Sequence, residues 1–290
     1  MTTFLPAYDT ENPACLAALP AIVEMHERHR MPATFFIVAQ ILTGQEAEFR
    51  ALLDRPLFEI ACHSQTHGLL ARHSRSSSPP VPEERLPEEV IGSKRRLEDV
   101  FGRVVTGFRP PWGYGDGLKH APRVLELLHD GGYRYVSSVL WGPNDTMPAL
   151  IQPPFNYQTQ GYPGLWEIPG MGWHENILKR AAVLFHNVMA PTEPFPGAIP
   201  AGAFNTPEDE FALNRIFLDR AVAGNNPHAT LIWHPWSLGG FDPAMRMIEL
   251  TFAYVREQQM PCATFGEFVS FFTTKGTNKD TKNTKKAIPK

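Results

Sequence analysis

Short apolar runs alternate along the chain with longer stretches of helical periodicity, and several of the runs end in a polar cluster. Phe4–Tyr8 reads as a strand that stops at Asp9-Thr10-Glu11-Asn12. Pro13 to His29 carries Leu16, Leu19, Ile22, Val23 and Met25 at helical spacing, with Pro13 suited to the first turn. Ala33–Ala39 is an unbroken β-branched and aromatic run, as expected of a strand buried on both faces. Leu57–Ala61 predicts a third strand leading into Cys62-His63-Ser64-Gln65-Thr66-His67. Ser74–Pro87, rich in Ser, Pro, Glu and Arg, predicts an exposed loop before a helix over Glu88–Phe101.

The alternation continues with a strand at Val104–Phe108 that feeds Arg109-Pro110-Pro111-Trp112-Gly113, and a helix at Pro122–Asp130 closed by Gly131-Gly132. Tyr133–Leu140 and Trp166–Pro169 predict two more strands, Pro207–Ala223 a helix, Ala229–Trp233 a strand ending at His234, and Ala244–Gln258 a long helix. From Gly170 to Pro207, Pro and Gly recur with little periodicity beyond a helical stretch at Ile177–Met189. The segment is long for a connection and is expected to shape a cleft or to cover the side of the fold. Strand–helix alternation of this kind predicts an α/β protein with a mostly parallel sheet.

Composition narrows the partners more than the fold. With 290 residues, 43% of them hydrophobic, the chain can bury one large core or two small ones. Its 28 prolines are scattered, which excludes a collagen-like repeat and predicts rigid loops. A net charge of −3 gives no basic field, so no nucleic-acid partner is expected. Three cysteines make no disulfide framework. The sequence holds neither a run of about 18 apolar residues nor a secretory pattern at Met1, so the expectation is no membrane partner and a cytoplasmic protein. Beyond Phe272 come six lysines and one aspartate, which predicts a solvated, disordered tail over 273–290 after a domain of residues 1–272.

Ligands of parallel α/β proteins sit at the C-terminal ends of the strands. Those ends here carry Asp9 and Glu11, His63 and His67, Arg109, Asp145 and His234. Each has an ordinary explanation: a helix N-terminus for Asp9-Thr10-Glu11, a surface charge for Arg109, a core histidine for His234. The spacing His-x-x-x-His would put two imidazoles on one face of a helical turn, which suits a metal. Placed together, these residues point to chemistry rather than packing.

Tyr-Asp-Thr-Glu, His-Ser-x-x-His, Arg-Pro-Pro-Trp-Gly and Leu-x-x-His-Pro, in that order, resemble the polysaccharide deacetylase family, the NodB-homology domain. The resemblance implies a distorted, incomplete (β/α) barrel, one divalent metal ion, usually zinc, and hydrolysis of N- or O-acetyl groups on sugars. It assigns His63 and His67 to the metal and Arg109 to holding the catalytic carboxylate. It gives Trp112 a backbone N–H in the oxyanion hole, and makes His234 the acid that protonates the leaving group. Among the tryptophans of predicted loops, Trp112 and Trp236 are the candidates to meet a sugar, with core filling as the alternative.

Two departures follow. The family's usual adjacent aspartates are replaced by Asp9-Thr10-Glu11, and threonine is a poor zinc ligand. Positions i and i+2 of an extended segment share one side, so Asp9 as base and Glu11 as ligand is the favoured assignment, with the exchanged roles still open. The acid that orients His234 is either Asp145 or Glu167. Two rivals to deacetylation stay open: an allantoinase-like hydrolase of a cyclic amide, and a silent carbohydrate-binding relative.

Overall fold

The computed structural model describes residues 1–179 and 205–280. The N-terminal apolar run is two strands, β1 (Thr3–Phe4) and β2 (Ala7–Thr10), followed by α1 (Cys15–His29). After β3 (Ala33–Ile37) come α2 (Glu46–Leu53) and β4 (Phe58–Cys62). A π-turn at Glu88–Gly92 runs into α3 (Ser93–Phe101), and β5 (Gly107–Phe108), α4 (Pro122–Asp130) and β6 (Tyr135–Val136) complete the first half. The second half adds β7 (Phe155–Tyr157), β8 (Tyr162–Glu167) and the short α5 (Glu175–Leu178). It ends with α6 (Pro207–Ala223), β9 (His228–Ala229), β10 (Ile232–Trp233), α7 (Pro235–Phe241), α8 (Arg246–Glu257) and α9 (Phe265–Asp280).

The main sheet runs β10-β2-β3-β4-β5-β6-β8-β7, with β1 and β9 paired apart from it. Every pairing is parallel except the β7–β8 hairpin. Among the described residues the ladder does not close. A single parallel bridge between His174 and Ile232 spans the gap beside β10, so the barrel is incomplete as expected.

Side-chain alternation along the central strands divides the interior in two. Tyr8, Phe35 and Ile60 pack into the larger core with Ile22 of α1 and Phe252 of α8. Their neighbours Ala7, Phe36 and Ala61 point the other way, where Tyr135, Phe265 and Phe268 join them. Helix α9 therefore plugs the barrel interior. Burial on both faces explains why β3 reads as a continuous apolar run.

Several elements are shorter than their apolar runs. The Tyr133–Leu140 run forms a strand only at Tyr135–Val136, with an isolated bridge from Val139 to Tyr114, because the Ser138 and Val139 N–H groups donate to the Glu167 carboxylate at 2.7 and 2.9 Å. α9 continues to Asp280, so helix occupies residues 273–280 of the expected disordered tail, whose remainder, 281–290, lies outside the described residues. A helix already nucleated on the buried Phe265–Val269 turn can propagate into such a polar segment at little further cost. Of the Ile177–Met189 stretch, Ile177–Leu178 are helical within α5 and 180–189 lie outside the described residues. Among the described residues no helix is long and apolar enough to cross a membrane.

Candidate active site

The C-terminal ends of the parallel strands face one cleft of about 570 Å³, a size suited to a small ligand. Asp9, Glu11, His63, His67 and His234 all line it, so the structure brings together the acidic and imidazole groups singled out in the sequence. One ligand atom from each of Glu11, His63 and His67 lies within 4.8 Å of the others, a group that could hold a metal ion. His63 is buried, and its Nδ1 is bonded to the Arg109 carbonyl at 2.7 Å, which leaves Nε2 for the cleft. Burial pulls the His63 imidazole down to about 4, so it is neutral at pH 7, as a metal ligand must be.

The His63–His67 segment is not the helical turn that the spacing suggested. It is a loop in which Ser64 and His67 both take positive φ, 66° and 64°, a conformation costing about 1–3 kcal/mol per residue outside glycine. Two features hold it. Ser64 Oγ accepts the His67 N–H at 3.1 Å, and the buried Glu89 carboxylate accepts the amides of Gln65 and Thr66 at 3.0 and 2.9 Å and the Thr66 hydroxyl at 2.6 Å. Glu89 lies in the π-turn, whose extra residue per turn turns it toward this loop. Nothing in the periodicity of Glu88–Phe101 singled it out.

Asp9 and Glu11 take different surroundings. Asp9 is buried and receives Arg109 Nη1 at 2.6 Å, while Nη2 goes to Ser137 Oγ at 3.1 Å. The guanidinium fork is thus divided between two partners rather than closed on one carboxylate. Arg109 itself is fully buried, with its guanidinium 4.0 Å from the Phe36 ring centre. Burial works to raise Asp9, but Arg109, His63 and His234 outweigh it and hold the carboxyl below its ordinary range. Glu11 instead reaches His67 Nε2 at 3.0 Å and His234 Nε2 at 3.8 Å. Thr10, between them, turns into the protein and is fully buried.

His234 stands at the N-cap of α7, and Glu175, not Asp145 or Glu167, is the acid on it. Glu175 Oε1 accepts the His234 backbone N–H at 2.6 Å and pairs with Nδ1 at 3.0 Å. The expected acids are engaged elsewhere. Asp145 accepts Ser74 and Gly115 in surface loops, and Glu167 is used up in ending β6 and in bonding Ser138 and Tyr157. The bridge of His174 to Ile232 is what brings the next residue, Glu175, beside β10. Burial works to lower His234, yet Glu11, Glu175 and Asp9 raise it to about 9. Glu175 in turn meets Ser237 Oγ at 2.8 Å and the buried Lys179 ammonium at 3.0 Å, and Lys179 also pairs with Glu210 at 3.1 Å.

The tryptophans divide as well. Trp112, 40% exposed at the cleft, has φ 69° and a carbonyl that accepts the Trp141 indole N–H at 2.6 Å. Trp236 spends its indole N–H on Glu11 Oε1 at 2.7 Å. The loop over 74–87, given no chemistry by its composition, supplies Ser74 and Arg75 to the cleft wall. Of the Pro/Gly-rich segment 170–207, residues His174, Asn176 and Ile177 line the cleft, while 180–204 lie outside the described residues.

Residues 9–136 match the family model described as polysaccharide deacetylase, which bears out the resemblance carried by the motifs. The chain is similar in structure to a Mycobacterium smegmatis protein described as a polysaccharide deacetylase (TM-score 0.65, 18% identity, 100% of this chain and 94% of that one). It is also similar to the Puue allantoinase (0.59, 14%, 93% and 88%) and to a CE4 family pseudoenzyme from Bacillus anthracis (0.52, 14%, 93% and 66%). At such identities the likeness shows the fold. No curated protein matches the sequence.

Proposed function

We propose that the cleft is the active centre of a metal-dependent hydrolase that removes an acetyl group from the nitrogen of an N-acetylated sugar. The observation that carries this reading is the convergence of Glu11, His63 and His67 between two separately supported groups, Asp9 on Arg109 and His234 on Glu175. Two imidazoles and one carboxylate fit a single divalent ion such as zinc with positions left open. Bound there, the ion would polarise the acyl oxygen and acidify a water molecule.

The chain's own residues supply the proton transfers. Asp9, kept ionised and oriented by Arg109, accepts the proton of the attacking water. His234, with Nδ1 on Glu175 and Nε2 toward Glu11, delivers a proton to the departing nitrogen. Trp112 lies where the family resemblance puts an oxyanion donor, and its carbonyl, in the following peptide, accepts the Trp141 indole N–H. The cleft joins apolar walls, Trp112, Leu140, Trp141 and Ile177, to the polar Ser74, Arg75 and Asn176, a mixture suited to the faces and hydroxyls of a sugar ring.

The test is acetate release from a panel of N-acetylated sugars by zinc-reconstituted protein, with a cyclic ureide in the same panel. Acetate with one zinc per chain supports the reading. Ring opening of the ureide without acetate would move the assignment to another amide, and a chain that holds no metal and turns over nothing would make it a silent binder.

A further inference from the structure

Glu11 presents its two oxygens unequally. Oε2 faces His67 Nε2 at 3.0 Å and His234 Nε2 at 3.8 Å, whereas Oε1 accepts the Trp236 indole N–H at 2.7 Å. Trp236 comes from the first turn of α7, two residues after His234, so one short stretch of chain sets both the imidazole and the clamp on the opposing carboxylate. The two ring centres are 6.1 Å apart and the ring planes are inclined at 60°.

We propose that Trp236 is a positioning residue that restricts Glu11 to metal ligation through one oxygen. The proposal rests on the metal-site reading above. A glutamate is one methylene longer than an aspartate, has an extra rotatable bond, and can turn both oxygens onto a cation. Two bound oxygens would take a coordination position that a hydrolytic site must keep for water and the acyl group. With Oε1 engaged by the indole, only Oε2 remains directed at the imidazoles. The longer acid at position 11 and the N–H donor at position 236 thus form one device, and Trp236 has a task other than stacking on substrate. Outer hydrogen bonds of this sort orient metal ligands and tune the bound ion.

Wild type and Trp236→Phe are stripped with a chelator, reconstituted with cobalt(II), and compared by visible absorption. Zinc is then titrated against a competing chelator. Release of Oε1 in the variant is expected to raise the coordination number and weaken the cobalt bands, and to change zinc affinity by roughly 10- to 100-fold. In wild type, the Trp236 indole proton, assigned by its absence in Trp236→Phe, should stay protected from exchange after zinc is added. Unchanged cobalt bands and zinc affinity in the variant, or an indole proton that zinc exposes to solvent, would overturn the proposal while leaving the metal site standing. A wild-type chain that takes up neither ion overturns the site and the proposal together. The indole readout uses wild type alone in its decisive step, so a poorly folded variant does not shelter the idea.

Discussion

Replacing Glu175 by glutamine tests the assignment of the acid on His234. The change is nearly isosteric, and its oxygen can still accept the His234 backbone N–H and Nδ1–H, so what His234 loses is the charge, while Lys179 and Ser237 lose an acceptor. A unit charge about 4 Å from the imidazolium is worth about 4 kcal/mol at an effective dielectric constant near 20. At 1.36 kcal/mol per tenfold this caps the effect near 10³, and a fall in kcat of roughly 10²–10³ on an acetamide is expected. An activated acetyl ester, whose leaving group needs no proton, should lose no more than about 5-fold. The assay is acetate release from both substrates at matched zinc content, with Asp145→Asn alongside as a substitution expected to change turnover by less than about 3-fold. Equal losses on the two substrates, or a dead Asp145→Asn beside a fully active Glu175→Gln, would refute the reasoning.

Asp9→Asn should abolish turnover with zinc retained, and Glu11→Gln should weaken zinc binding; elemental analysis beside turnover decides, and the reverse pattern exchanges the roles. Lys179→Met takes the ammonium shared by buried Glu175 and Glu210, which should lower stability in urea unfolding, with Glu210→Gln in the same chain restoring part of the loss. Glu89→Ala frees the Gln65 and Thr66 amides and should lower zinc affinity about 10- to 100-fold, whereas unchanged affinity would show that Ser64 suffices to hold the loop. Buried His26, bonded to the Tyr8 hydroxyl and the Met31 carbonyl, is pushed down by burial to about 4 from 6.5. The unfolded chain therefore binds its proton first on acidification. Stability from this residue is complete above pH 6.5 and is lost as pH falls toward 4, by about 3 kcal/mol; melts that stay flat across that range would contradict it.

Most of the candidate site was legible because it sits where strands end. Asp9, His63, Arg109 and His234 each follow directly on an apolar run, and the order of their motifs carries the family resemblance. Glu175 was hidden for the opposite reason. It lies in a Pro/Gly-rich segment without periodicity and reaches His234 through one bridge beside β10, a contact that no local pattern encodes. Glu89 was hidden inside a good helical pattern, since its direction depends on a π-turn. Strand lengths were overestimated at Tyr133–Leu140 because an apolar run reports burial, whereas pairing there is ended by the side chain of Glu167, distant in sequence. The role of Trp236 was open to misreading because a loop tryptophan near a cleft has two uses, and only the direction of its N–H separates them.

The position of β10 beside β2 also bears on how the protein is made. Glu11 meets Trp236 across 225 residues, and β10 can take its place against Ala7 and Tyr8 only once the chain has been made as far as Trp233. Until then the emerging polypeptide carries Asp9, Glu11, His63, His67 and Arg109 without His234 or Trp236. Pairings of such long sequence separation form late in folding. The cleft is therefore assembled from residues far apart in the chain, and until β10 is in place β2 keeps an uncovered edge, which leaves the nascent chain open to association with others of its kind.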